Sequence, residues 1–206
     1  MDGFTVRRAD DEDLEALVPA CAAATADETV NAWLTSAGPV PEDLYGEYLR
    51  DALRGHLADD EVWIAVRDQV IAGVSVWRRL DSPDRLRAEA EQVAALAESA
   101  GLAVLRRAAA VLRVTGAAHP RRFPHVYLYS IAVVPAHRGS GAGGAMLRER
   151  LAAADREETP VYLEASTEDS SRLYRRHGFE RSGEPIRLPD GGPRLLPMWR
   201  EPAAAA

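Results

Sequence analysis

Ser130-Ile131-Ala132-Val133-Val134-Pro135-Ala136-His137-Arg138-Gly139-Ser140-Gly141-Ala142-Gly143-Gly144 is the stretch on which the reading of this 206-residue chain turns. Its first part closes an apolar, β-branched run stopped by Pro135, which predicts a strand over His125–Val134. Its second part is a glycine-rich turn, Arg138–Gly144, opening a helix that carries Met146, Leu147 and Leu151. Small residues let the backbone approach a ligand closely and let successive amides point into one concavity. The helix start adds the positive end of its dipole and Arg138 a full charge, a combination suited to a pyrophosphate. The plainer alternative is a tight turn that only joins strand to helix.

Two nucleotide patterns compete for these glycines. Gly139-x-Gly141-x-x-Gly144 has the spacing of the dinucleotide fingerprint, and Glu164 follows Gly144 by twenty residues at a strand end. That fingerprint opens directly on its strand, whereas Pro135-Ala136-His137-Arg138 intervene here. Only 62 residues follow Gly144, too few for several further strand–helix units. A Walker-type loop needs a lysine, and all 25 basic residues are arginine. Arg138-x-x-Gly141-x-Gly143, after a strand ending in Val-x-Pro, is the other pattern.

Working outward, Thr5–Arg8 reads as a short strand and Asp10-x-x-Asp13 as the start of a helix over roughly Asp11–Ala26, with Leu14, Leu17, Val18 and Cys21 on one face. Pro41-Glu42-Asp43 starts a second helix, the acids favouring its dipole, and Leu44, Tyr48, Leu49, Leu53 and Leu57 continue it. Glu61–Arg67 and Val70–Trp77 form a hairpin turning at Asp68-Gln69. From Leu80 to His119 the periodicity is helical, broken at Ser99-Ala100-Gly101, and strands resume at once. Val161–Ala165 is a strand and Glu168–His177 a helix ended by Gly178. Strands near Phe179–Gly183 and Leu195–Arg200 flank the turn Pro189–Pro193. The expected fold is a mixed α/β single domain over residues 1–206, with a mostly antiparallel central sheet and a helical insertion at about 80–120.

Composition narrows the function. The net charge is −7, with 28% charged and 47% hydrophobic residues, ordinary for a soluble globular protein. An acidic balance argues against nucleic acid as a partner. No apolar run approaches a transmembrane span and no secretory signal is visible at Met1-Asp2-Gly3-Phe4, so the expected setting is cytoplasmic, without a membrane partner. One cysteine, Cys21, permits no intrachain disulfide, and no histidine spacing suggests a metal site. A homodimer is compatible with all of this. Paired basics at Arg78-Arg79, Arg106-Arg107 and Arg121-Arg122 read as solvated faces.

The loop pattern resembles the acetyl-CoA pyrophosphate loop of the GNAT N-acetyltransferase superfamily. Tyr162-Leu163-Glu164-Ala165-Ser166 and Leu173-Tyr174-Arg175-Arg176-His177-Gly178-Phe179 resemble that family's fifth strand and following helix. Val126-Tyr127-Leu128, Leu188-Pro189-Asp190-Gly191 and Met198-Trp199-Arg200-Glu201-Pro202 look like its puromycin N-acetyltransferase-like branch, which also tends to have a helical segment where Leu80–His119 lies. The resemblance implies a GNAT-like enzyme with acetyl-CoA as co-substrate. It puts Ile131, Ala132 and Val133 on the strand edge that pairs with the pantetheine arm. Arg138, Gly139, Ser140, Gly141, Ala142 and Gly143 match the pyrophosphate loop, and Tyr174 matches the tyrosine that commonly protonates the departing thiolate. Thr167 and Ser170 stand where relatives often have asparagine; Ser170 keeps its place among the cofactor contacts.

Acetyl transfer to an amine requires a held thioester, a neutral amine, a donor to the carbonyl oxygen and a proton for the sulfur. A backbone amide near Val133 suits the third need and the Tyr174 phenol the fourth, although Tyr174 is equally explained as a packed aromatic. Glu164 is the candidate base, against the plainer reading of a surface or ion-paired carboxylate. His125, His137 and His177 are titratable neighbours, His177 expected in solvent at a helix end. Cys21 reads as a buried, inert thiol, which favours direct transfer in a ternary complex over an acyl-enzyme. Trp33, Tyr45, Tyr48 and Trp77 are candidates for the acceptor pocket, with core packing preferred for Tyr48 and Trp77. The expectation is acetyl transfer to a primary amine of a small molecule, antibiotic or aminoacyl-type. The alternatives are a CoA-binding regulatory module without turnover and a nicotinamide dinucleotide-binding protein.

Overall fold

The computed structural model describes residues 3–203, apart from the side chains of residues 42 and 43. The dipole reading of Glu42 and Asp43, Met1-Asp2 and the end of the alanine tail lie outside that description. Eight strands among the described residues are β1 (Thr5–Arg8), β2 (Glu61–Arg67), β3 (Val70–Leu80), β4 (His125–Val133), β5 (Val161–Ala165), β6 (Glu180–Arg181), β7 (Ile186–Arg187) and β8 (Arg194–Arg200). They form a sheet in the order β1-β2-β3-β4-β5-β8-β6, with β7 on β8. All pairings are antiparallel except β4 with β5. Helices α1 (Leu14–Thr25), α2 (Thr29–Thr35), α3 (Glu42–Asp59), α4 (Asp84–Ala100), α5 (Ala103–Ala118), α6 (Ala142–Arg156) and α7 (Glu168–Arg176) connect them. This is the mixed, mostly antiparallel α/β architecture that the strand–helix alternation implies.

Alternation along the strands sorts the helices onto two faces. Val62, Ile64, Val74 and Val76 pack with Leu17, Cys21 and Leu53 of α1 and α3. On the opposite face Leu128, Leu163 and Met198 pack with Leu147 and Leu151 of α6 and Tyr174 of α7. The hairpin at Asp68-Gln69 closes with both residues at positive φ, 51° and 63°, as a two-residue type I′ turn demands. Gly101, at φ 66°, ends α4 and separates it from α5.

The insertion is stitched to the core. Arg78 is only 3% exposed and donates to Glu89 of α4 at 2.7 Å, so the solvated-face reading of Arg78 is corrected. Asp60, capping α3, accepts from Arg85 of α4 at 2.6 and 2.9 Å and lies 3.4 Å from Arg78 Nε. A buried arginine at this register is held by carboxylates from the end of α3 and from α4, the helices on either side of the β2–β3 hairpin. Arg107 also departs from the solvated reading, stacking on Trp33 and donating to its carbonyl.

Candidate active site

Between β4 and β5 the sheet comes apart. These parallel strands pair only at Val126 with Val161 and Tyr127 with Tyr162. Beyond, the edge of β4 that carries Ile131, Ala132 and Val133 has no strand beside it, so its peptide groups are available to an extended ligand. A bulge opposite Val76/Trp77 pairs Ser130 and Leu128 with neighbouring β3 residues and leaves Tyr129 as the extra one. The bulge turns Tyr129 and Ser130 onto the same face, toward α3, while Leu128 and Ile131 face α6 and α7.

The glycine loop sits at the end of that free edge. Gly139 and Gly141 take φ of +73° and +96°, conformations that disfavour a β-carbon, and open space surrounds both. Ala142 starts α6, and a β-carbon on Gly143 would touch Val133 and Leu173. The first amides of α6 have no partner within the helix, so loop and helix start together present donors to an anion. Arg138 points elsewhere. Its guanidinium is bidentate to Asp27 at 2.6 Å, and its Nε donates to the Val133 carbonyl at 3.1 Å. Its charge is balanced by Asp27, and what the loop offers an anion is backbone donors. The Ser140 hydroxyl donates to the His137 carbonyl. Ser170 is the third residue of a capping box with Thr167, donating to the Thr167 carbonyl at 2.9 Å.

Tyr174 stands in the wedge, in the packed cluster that holds Leu163 and Ala165 and on which Ile131 rests. Burial, and then the Glu28 carboxylate, push its phenol above the usual value, so it keeps its proton. His177 is half-buried among Arg148, Arg176 and Arg200 rather than in solvent, and burial together with these cations pushes its pKa down.

Glu164 faces the other side and is buried rather than surface or ion-paired, its side chain 5% exposed. It accepts from the Tyr127 hydroxyl at 2.7 Å, and its second oxygen is buried without a partner. Burial raises its pKa to about 7, against the lowering effect of the Tyr127 and Tyr162 hydroxyls. His119 Nδ1 lies 3.9 Å from that free oxygen. His125 Nδ1 donates to the Arg122 carbonyl at 2.9 Å, so its Nε2 accepts from His119 Nε2 at 2.9 Å. That fixes the His119 Nδ1 lone pair toward Glu164. His119, pushed down to about 3 by burial and His125, is neutral, so the contact is no ion pair.

A cavity of about 640 Å³ opens on the α3 side of the bulge, with Tyr129, Ser130 and Ala132 on its floor. Tyr48, 52% exposed, is on its wall and not in the core, correcting the packing preference; Trp77 is buried as preferred. Cys21 also lines it, and burial pushes the thiol up to about 12, which keeps it protonated and unreactive. The residues that sequence reasoning passed over are His56, Tyr129 and Glu89, all lining this cavity, with Asp60 bonded to His56 behind them. The only sequence signal was His56-x-x-x-Asp60 at helical spacing. Among the described residues no group of ligating side chains could hold a metal, and no helix is long and apolar enough to cross a membrane.

An acetyltransferase (GNAT) domain model matches residues 58–181. Among solved structures, a histone acetyltransferase HPA2 and related acetyltransferase of Corynebacterium glutamicum is 26% identical, over 99% of both chains, at a TM-score of 0.68. The polyamine N-acetyltransferase of Drosophila melanogaster is 19% identical over 96% of this chain and 99% of its own, at 0.62. Arylalkylamine N-acetyltransferase 2 of Aedes aegypti is 14% identical over 97% and 99%, at 0.73. These last two share the fold.

Proposed function

The chain belongs to the GNAT acetyltransferase family, and on that premise we propose that it moves the acetyl group of acetyl-CoA to a primary amine of a small molecule, by direct attack in a ternary complex. The observation that carries this is the splayed β4–β5 wedge, with glycine-loop donors at its end and a cavity on its far face. Acetyl-CoA, when bound, supplies an acyl group already activated as a thioester. The chain's residues fit it. The free edge of Ile131, Ala132 and Val133 holds an extended amide-bearing arm, and Gly139 through Gly143 offer amides to its pyrophosphate. Arg138 braces that loop against Asp27, so its contribution is to shape rather than to charge. Ser170 fixes the start of α7 beside the arm.

A backbone amide on the β4 edge polarises the carbonyl, and Tyr174 gives its proton to the departing sulfur. Glu164 stands behind Tyr127, whose ring meets that of Tyr129 at 5.9 Å, so two phenols separate it from the cavity and its role is to hold the first in place. The motifs at Leu188–Gly191 and Met198–Pro202 support the puromycin N-acetyltransferase-like branch, and an antibiotic or aminoacyl-type amine as acceptor. One domain spanning residues 1–206, working in the cytoplasm, completes the reading.

Calorimetric titration with acetyl-CoA and NADH, followed by thiol release across a panel of primary amines, tests it. Acetyl-CoA is expected to bind, NADH to be silent, and Gly141→Val to weaken acetyl-CoA at least tenfold with the fold intact. Binding without thiol release from any amine would instead make the chain a CoA-sensing module. A folded protein that ignores acetyl-CoA would overturn the assignment.

A further inference from the structure

The acceptor amine arrives as an ammonium and must lose a proton before it attacks. Glu164 is not on the cavity wall. His56 is. Its ring lies 5.5 Å from that of Tyr129 on the cavity floor, and its Nδ1 is 2.8 Å from Asp60 Oδ2. The Asp60 carboxyl is held below its ordinary range by its hydrogen bonds from His56 and Arg85 and by the charges of Arg78 and Arg85, which overcome its burial. An ionised carboxylate can only accept, so the Nδ1 position must donate. The proton is therefore fixed on Nδ1 and the Nε2 lone pair is left free, with no partner among the described residues. Asp60, with its side chain fully buried and clamped by two guanidiniums, cannot swing away, and it holds the imidazole as a rigid orienter.

We infer that His56 is the general base of the transfer, with Asp60 as its positioning residue. The inference rests on reading the cavity as the amine's site. The other charged or titratable groups on this cavity are Cys21 of α1, Tyr48, Asp51 and Asp59 of α3, Arg78 of β3, Tyr129 of β4, and Arg85 and Glu89 of α4. Arg78 and Arg85 balance Asp60 and Glu89, and the imidazole takes its place beside them as a hydrogen-bond donor to Asp60. Tyr129, pushed up to about 12 by burial, remains a neutral phenol and does not compete for the proton. The proton balance is complete. The nitrogen sheds one proton before it attacks and a second as the C–N bond forms and the C–S bond breaks. The first goes to His56 Nε2 and leaves through the open cavity to solvent. The second restores the Tyr174 phenol after that phenol has protonated the thiolate.

His56→Asn is the informative variant, because its amide nitrogen can still donate to Asp60 while no basic atom remains. At saturating substrates, with circular dichroism and the acetyl-CoA dissociation constant unchanged, kcat is expected to fall about a hundredfold or more. Added imidazole should restore part of it, and the rise of kcat/KM with pH should flatten. Glu164→Gln should keep that rise. A kcat within threefold of the parent, a loss carried wholly by the amine KM, or a pH rise that survives in His56→Asn and vanishes in Glu164→Gln would each overturn the assignment. Absence of transfer by the parent protein with every amine would remove the premise itself, and is told apart by that control.

Discussion

A phenol proposed to protonate a thiolate must hold its proton until the sulfur leaves, and the surroundings of Tyr174 keep that proton in place. Its ring packs edge-on to Phe179 at 5.9 Å, and burial plus Glu28 disfavour the phenolate. Tyr174→Phe keeps the packing and removes the proton. Its kcat is expected to fall at least tenfold while the acetyl-CoA KM stays within about twofold, because the interaction is realised only as the bond breaks. Steady-state kinetics over both substrates checks it, and an unchanged kcat would leave Tyr174 as a packed aromatic. Glu164 carries a different signature. Its folded carboxyl titrates at about 7 against an ordinary 4.5, so the folded chain holds this proton to higher pH than the unfolded chain. The contribution is fully present below about 4.5 and is lost as pH rises through 7. His119, kept neutral down to about 3, works in the opposite sense: its contribution is lost as pH falls from 6.5 toward 3. Comparing each protein with its Glu164→Gln variant isolates the first effect. Between pH 4.5 and 7.5 the unfolding free energy should swing in the variant's favour by roughly 3 kcal/mol, measured by denaturant titration. A difference independent of pH would mean that Glu164 titrates in its place as it does in water.

At the scale of elements, what the sequence revealed and what it hid have physical causes. The strand, glycine loop and α6 were legible because Pro135, Gly139 and Gly141 punctuate the chain locally. The break at Gly101 and the cap at Asp10 were legible for the same reason: the glycine adopts the left-handed region and the Asp10 side chain accepts from Glu12. The Asp68-Gln69 turn closes the hairpin although Gln69, unlike Asp68, is not a favoured occupant of positive φ; the paired strands hold it there. Helix α2 escaped notice because it is short and is capped by Glu28, whose carboxylate accepts from Val30 and Asn31, rather than by the usual short polar residues. It gains its place by packing, with Trp33 and Val30 against Ile186 and Leu188 and against Val111 of α5. Strand β7 has two residues and no sequence signature at all. The site divides similarly. The glycine loop reads from composition alone, whereas the partner of Arg138 is Asp27, 111 residues away, and the meaning of His56 appears only once Arg85 has arrived on Asp60. Local rules reach the glycine-loop side of this molecule and stop at the cavity proposed for the acceptor, which is assembled from α1, α3, β3, α4 and the β4 bulge.

For the molecule as a whole, the question is whether α4 and α5 form an appendage or a wall. Their packing argues for a wall. Leu86 joins Leu80, Tyr127, Tyr162 and Trp199 in one buried cluster. Val111 and Val114 of α5 cover the cluster of Ile186, Leu188 and Leu195. His119, just after α5, closes the buried chain toward Glu164. Most telling is Arg78, a guanidinium almost wholly withdrawn from water whose bidentate partner among the described residues is Glu89. A buried cation stripped of its carboxylate is far more costly than the intact pair is stabilising. Glu89→Ala leaves Arg78 with Asp60 at 3.4 Å, itself shared with Arg85 and His56. Because Glu89 is itself 25% exposed and water can enter where its side chain was, the cost falls at the low end, about 2 kcal/mol. For a chain of this length that lowers the melting temperature by roughly 4–8 °C. The form of the transition is as informative as its position. If the insertion were a separate unit, cutting its tie would release a small early transition and leave the main one where it was. If residues 84–118 are part of a single domain, the whole calorimetric peak moves down together and the calorimetric and van't Hoff enthalpies stay equal. We expect the second result, because the residues that Glu89 holds in place are also the wall of the acceptor cavity and the clamp on the Asp60–His56 pair. On the proposed reading the same variant should therefore lose amine affinity at temperatures well below its melting point, while acetyl-CoA, whose proposed place is the β4–β5 wedge and the glycine loop, is held as before.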